Sequence, residues 1–302
     1  MLPQKSHLLI FTLVSAFCTA LAETETCGQT DKPPSPTSEC CGLDLADDHR
    51  KTSGDAAINQ FPWLALIEAN GRPTCTGVII SSRYVLTAAQ CLYQSPTNVR
   101  LGEFNKTNSG PDCLMVGGKK ICNGGAITIA IEATASHAHY NQDYHGHDIA
   151  ILKLAKPVPY NEFIRPICLP TSDITVSPPE NLRLINAGWG SKPSSDQEED
   201  VVKHYVELPY VPLKRCKEIY KDISHRYSST ISEKHICAGG EKGLDSCRGD
   251  GGGPLMFEEG GRYSLAGIVS FGAVPCGRVG VPSVYTKVFY YLPWINNVTS
   301  TL

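Results

Sequence analysis

The sequence predicts an all-β fold, an antiparallel barrel or sandwich. Two observations carry this. Short β-branched and apolar runs recur along the chain, separated by Gly, Pro, Asn and Asp turns. Helical periodicity is confined to two stretches, 213–220 and 288–298, and there is no internal repeat. The clearest strand signals are Gly77-Val78-Ile79-Ile80, Tyr84-Val85-Leu86-Thr87, Ile127-Thr128-Ile129-Ala130-Ile131, Ile149-Ala150-Ile151-Leu152 and Leu265-Ala266-Gly267-Ile268-Val269. With 302 residues, 41% of them hydrophobic, the chain can bury a large core as one domain or two lobes.

Read from the N-terminus, Lys5 and His7 precede an apolar run over 8–17 that ends in Ala20-Leu21-Ala22. This is the pattern of a cleaved signal peptide over 1–22. The run falls well short of the ~20 apolar residues of a membrane span. Of the 13 cysteines, cleavage removes Cys18 and leaves 12. An even set in an oxidising compartment points to disulfides and a secreted, extracellular location. Residues 23–50 form a polar, turn-rich leader with Lys32-Pro33-Pro34-Ser35-Pro36-Thr37 and three cysteines. A body over 51–302 follows. Asn105-Lys106-Thr107 and Asn297-Val298-Thr299 are glycosylation sequons. The formal net charge of -3 gives no reason to expect nucleic acid or an anionic membrane as partner.

Within the body, Phe61-Pro62-Trp63, Leu86-Thr87-Ala88-Ala89-Gln90-Cys91, Asp148-Ile149-Ala150-Ile151-Leu152-Lys153-Leu154, Pro166-Ile167-Cys168-Leu169-Pro170, Ala187-Gly188-Trp189-Gly190, Gly249-Asp250-Gly251-Gly252-Gly253-Pro254-Leu255 and Val284-Tyr285-Thr286-Lys287-Val288 follow one another. In this order they resemble chymotrypsin-like serine proteases over roughly residues 50–298. The loop from Asp112-Cys113 to Ile121-Cys122 after Leu101-Gly102-Glu103-Phe104, and Cys41-Gly42, are similar to arthropod clip-domain members. Only Cys27, Cys40 and Cys41 precede the body, too few for the six cysteines of a clip module. The resemblance implies two six-stranded antiparallel β-barrels with a C-terminal helix. It also implies the pairs Cys75–Cys91, Cys113–Cys122, Cys216–Cys237, Cys247–Cys276 and Cys41–Cys168, leaving Cys27 for Cys40. Because Cys40 and Cys41 are adjacent, those last two assignments are interchangeable.

In the family, a serine hydroxyl attacks, a histidine takes its proton and an aspartate orients the histidine. Asp148 matches the aspartate, but Gln90 stands at the base position and Gly251 at the nucleophile position. A carboxamide has no useful basicity near neutral pH, and glycine has no oxygen to attack with. Removing base or nucleophile from a protease that uses the same triad on another fold costs ~10⁶ in turnover. No active catalytic residue is therefore expected, although the Gln90 amide is expected to donate to Asp148. A replacement triad drawing on Ser246, Ser270, His145 or His147 needs nucleophile and base within ~2.6–3.2 Å.

The binding groove is better kept. Asp245 matches the acidic base of a trypsin-like pocket, Ser270-Phe271-Gly272 resembles the segment that pairs with substrate backbone, and Gly249 and Gly251 match oxyanion-hole amides. Such a groove accepts Arg or Lys without cutting. Ser283, where a glycine is usual, narrows the pocket; the alternative is Asp245 as a solvated relic. The segment Arg50-Lys51-Thr52-Ser53-Gly54-Asp55-Ala56 offers Arg50 or Lys51 as a cleavage site but lacks the apolar first residue that orders the pocket around Asp250.

Two histidine pairs, His137-Ala138-His139 and His145-Gly146-His147, lack an evident four-ligand set, so no metal is expected. Gln197-Glu198-Glu199-Asp200 reads as a solvated loop, and Phe289, Tyr290 and Tyr291 as helix packing. The expectation is a secreted, inactive protease homologue without cofactor. It would regulate an extracellular immune or melanisation cascade through proteases, their substrates or inhibitors. A weakly active or rearranged trypsin-like endopeptidase is the alternative, and a secreted binding protein that blocks a protease target is a third reading.

Overall fold

The computed structural model describes residues 27, 30–38, 40–46, 52–116, 118–193, 200–223 and 230–302. The expected signal peptide, Arg50, Lys51 and residues 197–199 of the acidic run lie outside them.

After a short edge strand β1 (Ser53–Asp55) come β2 (Leu64–Ala69), β3 (Arg72–Ile79), β4 (Tyr84–Thr87) and β5 (Asn98–Leu101). A small hairpin of β6 (Cys113–Val116) and β7 (Lys119–Cys122) precedes β8 (Ile127–Ser136) and β9 (Ala150–Leu154). These close a first barrel in the order β2-β3-β4-β9-β8-β5. The pattern of side chains explains the closure. Every residue of β2 and β4 is buried, whereas β8 alternates along its length and shows one face to water. The β2–β3 turn is Asn70-Gly71, both with positive φ (53° and 72°), which matches the twist of the strands it joins.

The second barrel uses β10 (Arg183–Gly188), β11 (His204–Val211), β12 (His235–Gly239), β13 (Pro254–Glu259), β14 (Arg262–Phe271) and β15 (Pro282–Lys287). Its order is β11-β10-β13-β14-β15-β12, closed by β11–β12 pairing, with β1 added along β11. Helix α1 (Leu213–Ile223) buries Cys216 and Tyr220 on one face, and α2 (Val288–Thr301) buries Val288, Tyr291, Ile295 and Val298. Both helices run past their sequence signals by three residues, and β3, β8 and β14 outrun theirs because their register partners continue past the apolar run.

One core joins the barrels. Trp63, Leu86 and Ile151 of the first share a cluster with Met256, Tyr263 and Ile268 of the second and with α2. Trp63 Nε1 donates to Met256 Sδ at 3.0 Å. Inside the first barrel's rim, buried Arg100 acts as an internal cation. It donates to Glu68 (2.9 Å), Glu103 (2.9 Å) and the carbonyl of Asn108 (3.2 Å). Burial pushes Glu103 up to about 7 despite that neighbour.

Among the described residues six disulfides are formed, with the pairing that the resemblance implies. Cys27–Cys40 closes the leader on itself and Cys41–Cys168 ties it to the body. Cys75–Cys91, Cys113–Cys122, Cys216–Cys237 and Cys247–Cys276 lie within the body. The leader also forms backbone bonds, Gly42 N to Pro166 O and Tyr263 N to Gly42 O, both 2.9 Å.

Candidate functional site

The site lies where the barrels meet. A short 3-10 helix (Ala89–Gln94) after β4 carries Gln90, the chain entering β9 carries Asp148, β14 carries Ser270, and the loop before β13 carries Gly249–Gly251. Gln90, Ser270, Gly249 and Gly251 border a groove of about 740 Å³, and Asp148 is not part of its lining.

Asp148 is fully buried. Its Oδ1 accepts the Gln90 backbone N–H (2.9 Å), and its Oδ2 accepts both the Gln90 side-chain Nε2 (2.8 Å) and the Ser270 hydroxyl (2.7 Å). Gln90 Nε2 spends its other hydrogen on the Ser270 carbonyl at 2.6 Å. Both partners are acceptors, which fixes the orientation of the amide. Burial raises the Asp148 carboxyl above the usual range, and the bonds from Ser270 and Gln90 pull it back. Gln90 thus does for the carboxylate what an imidazole N–H does, and offers no basic lone pair in return.

The loop over Gly249–Gly253, which the resemblance matches to the nucleophile loop, carries no side chain at 251. Gly249 and Gly252 sit at φ 96° and 80°, and at Gly252 a Cβ would strike Thr87 and Thr76. Gly251 is different. Its φ is not in the left-handed range, and a Cβ built there meets nothing within 4 Å. Among the described residues, the backbone N–H groups of Gly249 and Gly251 donate to no acceptor in the chain. The groups considered for a replacement triad are committed elsewhere. The Ser270 hydroxyl serves Asp148, and Ser246 Oγ pairs with Tyr285 OH at 3.0 Å. His147 lies between Lys234 Nζ (3.2 Å) and Tyr291 OH (3.1 Å), and His145 stacks on Phe271.

Asp245 is not solvated; it is 7% exposed. Its Oδ1 accepts the Ser283 hydroxyl (2.7 Å) and its Oδ2 the Gly277 N–H (2.9 Å), while burial pushes its carboxyl up to about 6. Ser283 also crowds the neck of the pocket, where a Cβ on Gly272 would come within 2.5 Å of its Oγ. Ser246, Gly249, Ser270, Gly272 and Ser283 line or border the groove, whereas Asp245 borders a separate cavity against β11. Asp250 is buried, its two oxygens accepting the N–H groups of Gly190 and Cys247, both at 3.0 Å. Burial raises its carboxyl, with His204 and Lys106 opposing.

Sequence reasoning passed over the Ser270 hydroxyl as a partner of Asp148 and over Arg248, an exposed cation on the groove's rim. Arg248 was findable, since it belongs to the same loop as Gly251. The histidines do gather: His137 and His147 stack at 4.5 Å and His139 lies 5.8 Å from His147. Even so, no group of three or more potential ligands is placed to hold a metal among the described residues. Of the sequons, Asn105 is half-buried, its Oδ1 accepting from Thr107, and Asn297 is exposed on α2. No helix among the described residues is long and apolar enough to cross a membrane.

A trypsin family model matches residues 52–295. A phenoloxidase-activating enzyme of Bombyx mori is 42% identical over 89% of this chain, which spans 65% of that protein's length. Phenoloxidase-activating factor 3 of Holotrichia diomphalia is 38% identical, over 89% of this chain and 78% of its own. The crystal structure of the Drosophila Grass clip serine protease of the Toll pathway superposes with a TM-score of 0.72 at 32% identity, covering 86% of this chain and 74% of that one.

Proposed function

Because the chain belongs to the trypsin family and yet carries Gln90 and Gly251 in its active-site groove, we propose that it is a secreted, catalytically inactive homologue that regulates an extracellular protease cascade by docking. The observation that carries this is the state of the three triad positions. The acid is buried and satisfied, the base position holds an amide with both hydrogens spent, and the nucleophile position is empty space. Among the described residues, the Ser246 and Ser270 hydroxyls are tied to Tyr285 and Asp148 and neither meets an imidazole, which weighs against rearranged catalysis. The relatives named for phenoloxidase activation support a place in melanisation, with proteases, their substrates or inhibitors as partners. The part of the groove lined by Ser246, Gly272 and Ser283 would receive a side chain without any group to cut beside it.

The test uses the purified secreted chain, intact and cut after Arg50 or Lys51. Arg and Lys ester and amide substrates should show no turnover, and a serine-directed phosphonate should leave no label. Added to a phenoloxidase activation assay, the same protein should change the rate. Turnover or labelling would overturn the reading.

A further inference from the structure

We infer that the groove is a receptor for cut peptides: it binds the newly exposed C-terminal carboxylate of a cleaved chain, seated on the Gly249 and Gly251 amides in the space left by the absent serine side chain. The inference rests on the docking reading above and names its ligand class.

Four observations meet at this spot. Two residues of the groove lining, Gly249 and Gly251, carry backbone N–H groups with no acceptor of their own among the described residues. Beside them, the direction in which a side chain at 251 would project is open for 4 Å. An intact peptide places one carbonyl oxygen on such amides, whereas a carboxylate brings a second oxygen and a full charge. A serine hydroxyl would occupy the room that the second oxygen needs. Third, the described lining contains no Asp or Glu and one cation, Arg248. The nearest carboxylates are turned away: Asp148 lies under Gln90, Asp245 behind Ser283 and Asp250 against Gly190. Fourth, with both Gln90 amide hydrogens spent on Asp148 and Ser270, recognition falls to the amides and Arg248. Hydrogen bonds to a charged group are the stronger kind, so the acid form gains over a neutral terminus.

Acetylated tetrapeptides ending in Ala, Ser, Leu, Phe, Lys or Arg, each as free acid and as amide, provide the probe, with calorimetric titration as the readout. At least one free acid should bind about tenfold or more tightly than its amide. Gly251→Ser, which places a side chain in open space and keeps the melting temperature, should remove most of that preference. Arg248→Gln, at an exposed position, should weaken the acids and flatten their salt dependence. Equal affinity of acids and amides, no acid binding at millimolar concentration, or a preference untouched by Gly251→Ser would overturn the inference. Mass spectrometry of a longer peptide incubated with the protein separates the two levels. Cleavage of that peptide sinks the inactive reading, while an uncut peptide with no acid preference sinks only this one.

Discussion

Gln90 shows how a carboxamide can satisfy a buried carboxylate without loss of structure. A buried carboxylate stripped of a donor costs about 1–3 kcal/mol, so Gln90→Ala should lower thermal stability by that order, read from the unfolding midpoint. An unchanged midpoint would mean that Ser270 and the Gln90 backbone N–H satisfy Asp148 alone. At position 251 the same logic gives the opposite expectation. Gly251→Ser should leave the midpoint within about 0.5 kcal/mol of its starting value and create no activity, since no base faces the new hydroxyl. Only the pair Gln90→His with Gly251→Ser should give measurable ester hydrolysis, followed with a chromogenic substrate. The pair staying silent would show that the remaining groove is also unfit for chemistry. These residues were legible in the sequence because each sits inside a fixed local motif. The burial of Asp245 behind Ser283 was not, because it depends on β15 pairing with β12 and so approaching the loop that follows β12.

Among the elements, the first barrel's rim depends on one guanidinium. Arg100 on β5 holds Glu68 of β2 and Glu103 of the following loop, and all three side chains are buried. Arg100→Met leaves two carboxylates facing each other and should cost about 3–5 kcal/mol, the usual penalty for breaking a buried ionic group; chemical denaturation measures it. Position along β5 gave no hint of this, since a lone Arg in a strand reads as surface, whereas the strands themselves were legible from their apolar runs. The surface between β8 and α2 carries a pH response. Burial lowers His147 to about 4, with Lys234, His137 and His139 adding to the shift. The folded state therefore resists a proton that the unfolded chain accepts below about 6.5. Stability from this site is full above that pH and is lost as pH falls toward 4. His235 adds in the same direction, while Asp245, raised to about 6, loses stability as pH rises toward that value. His147→Gln should flatten the acid arm of a midpoint-versus-pH curve relative to the parent. An identical arm would assign that response to other groups.

For the whole molecule, the leader and body are one covalent unit whatever happens between them. A cut after Arg50 or Lys51 should give a single band on a non-reducing gel and two on reduction, because Cys41–Cys168 bridges the cut. Two bands without reductant would contradict that linkage. The double-barrel plan was legible because many short motifs occur in one order, whereas the packing between barrels was not, since contacts such as Trp63 to Met256 join residues far apart in the chain. That packing also has a bearing on how the protein comes apart. The last strand of the second barrel runs directly into α2, whose side chains pack in the core shared with the first, and Lys153 of β9 reaches across to the carbonyl of Leu302 at 2.6 Å. Neither half can shed its partner and stay folded, so heating should produce one cooperative calorimetric peak, and a chain trimmed before this closing helix should not survive as a folded remnant.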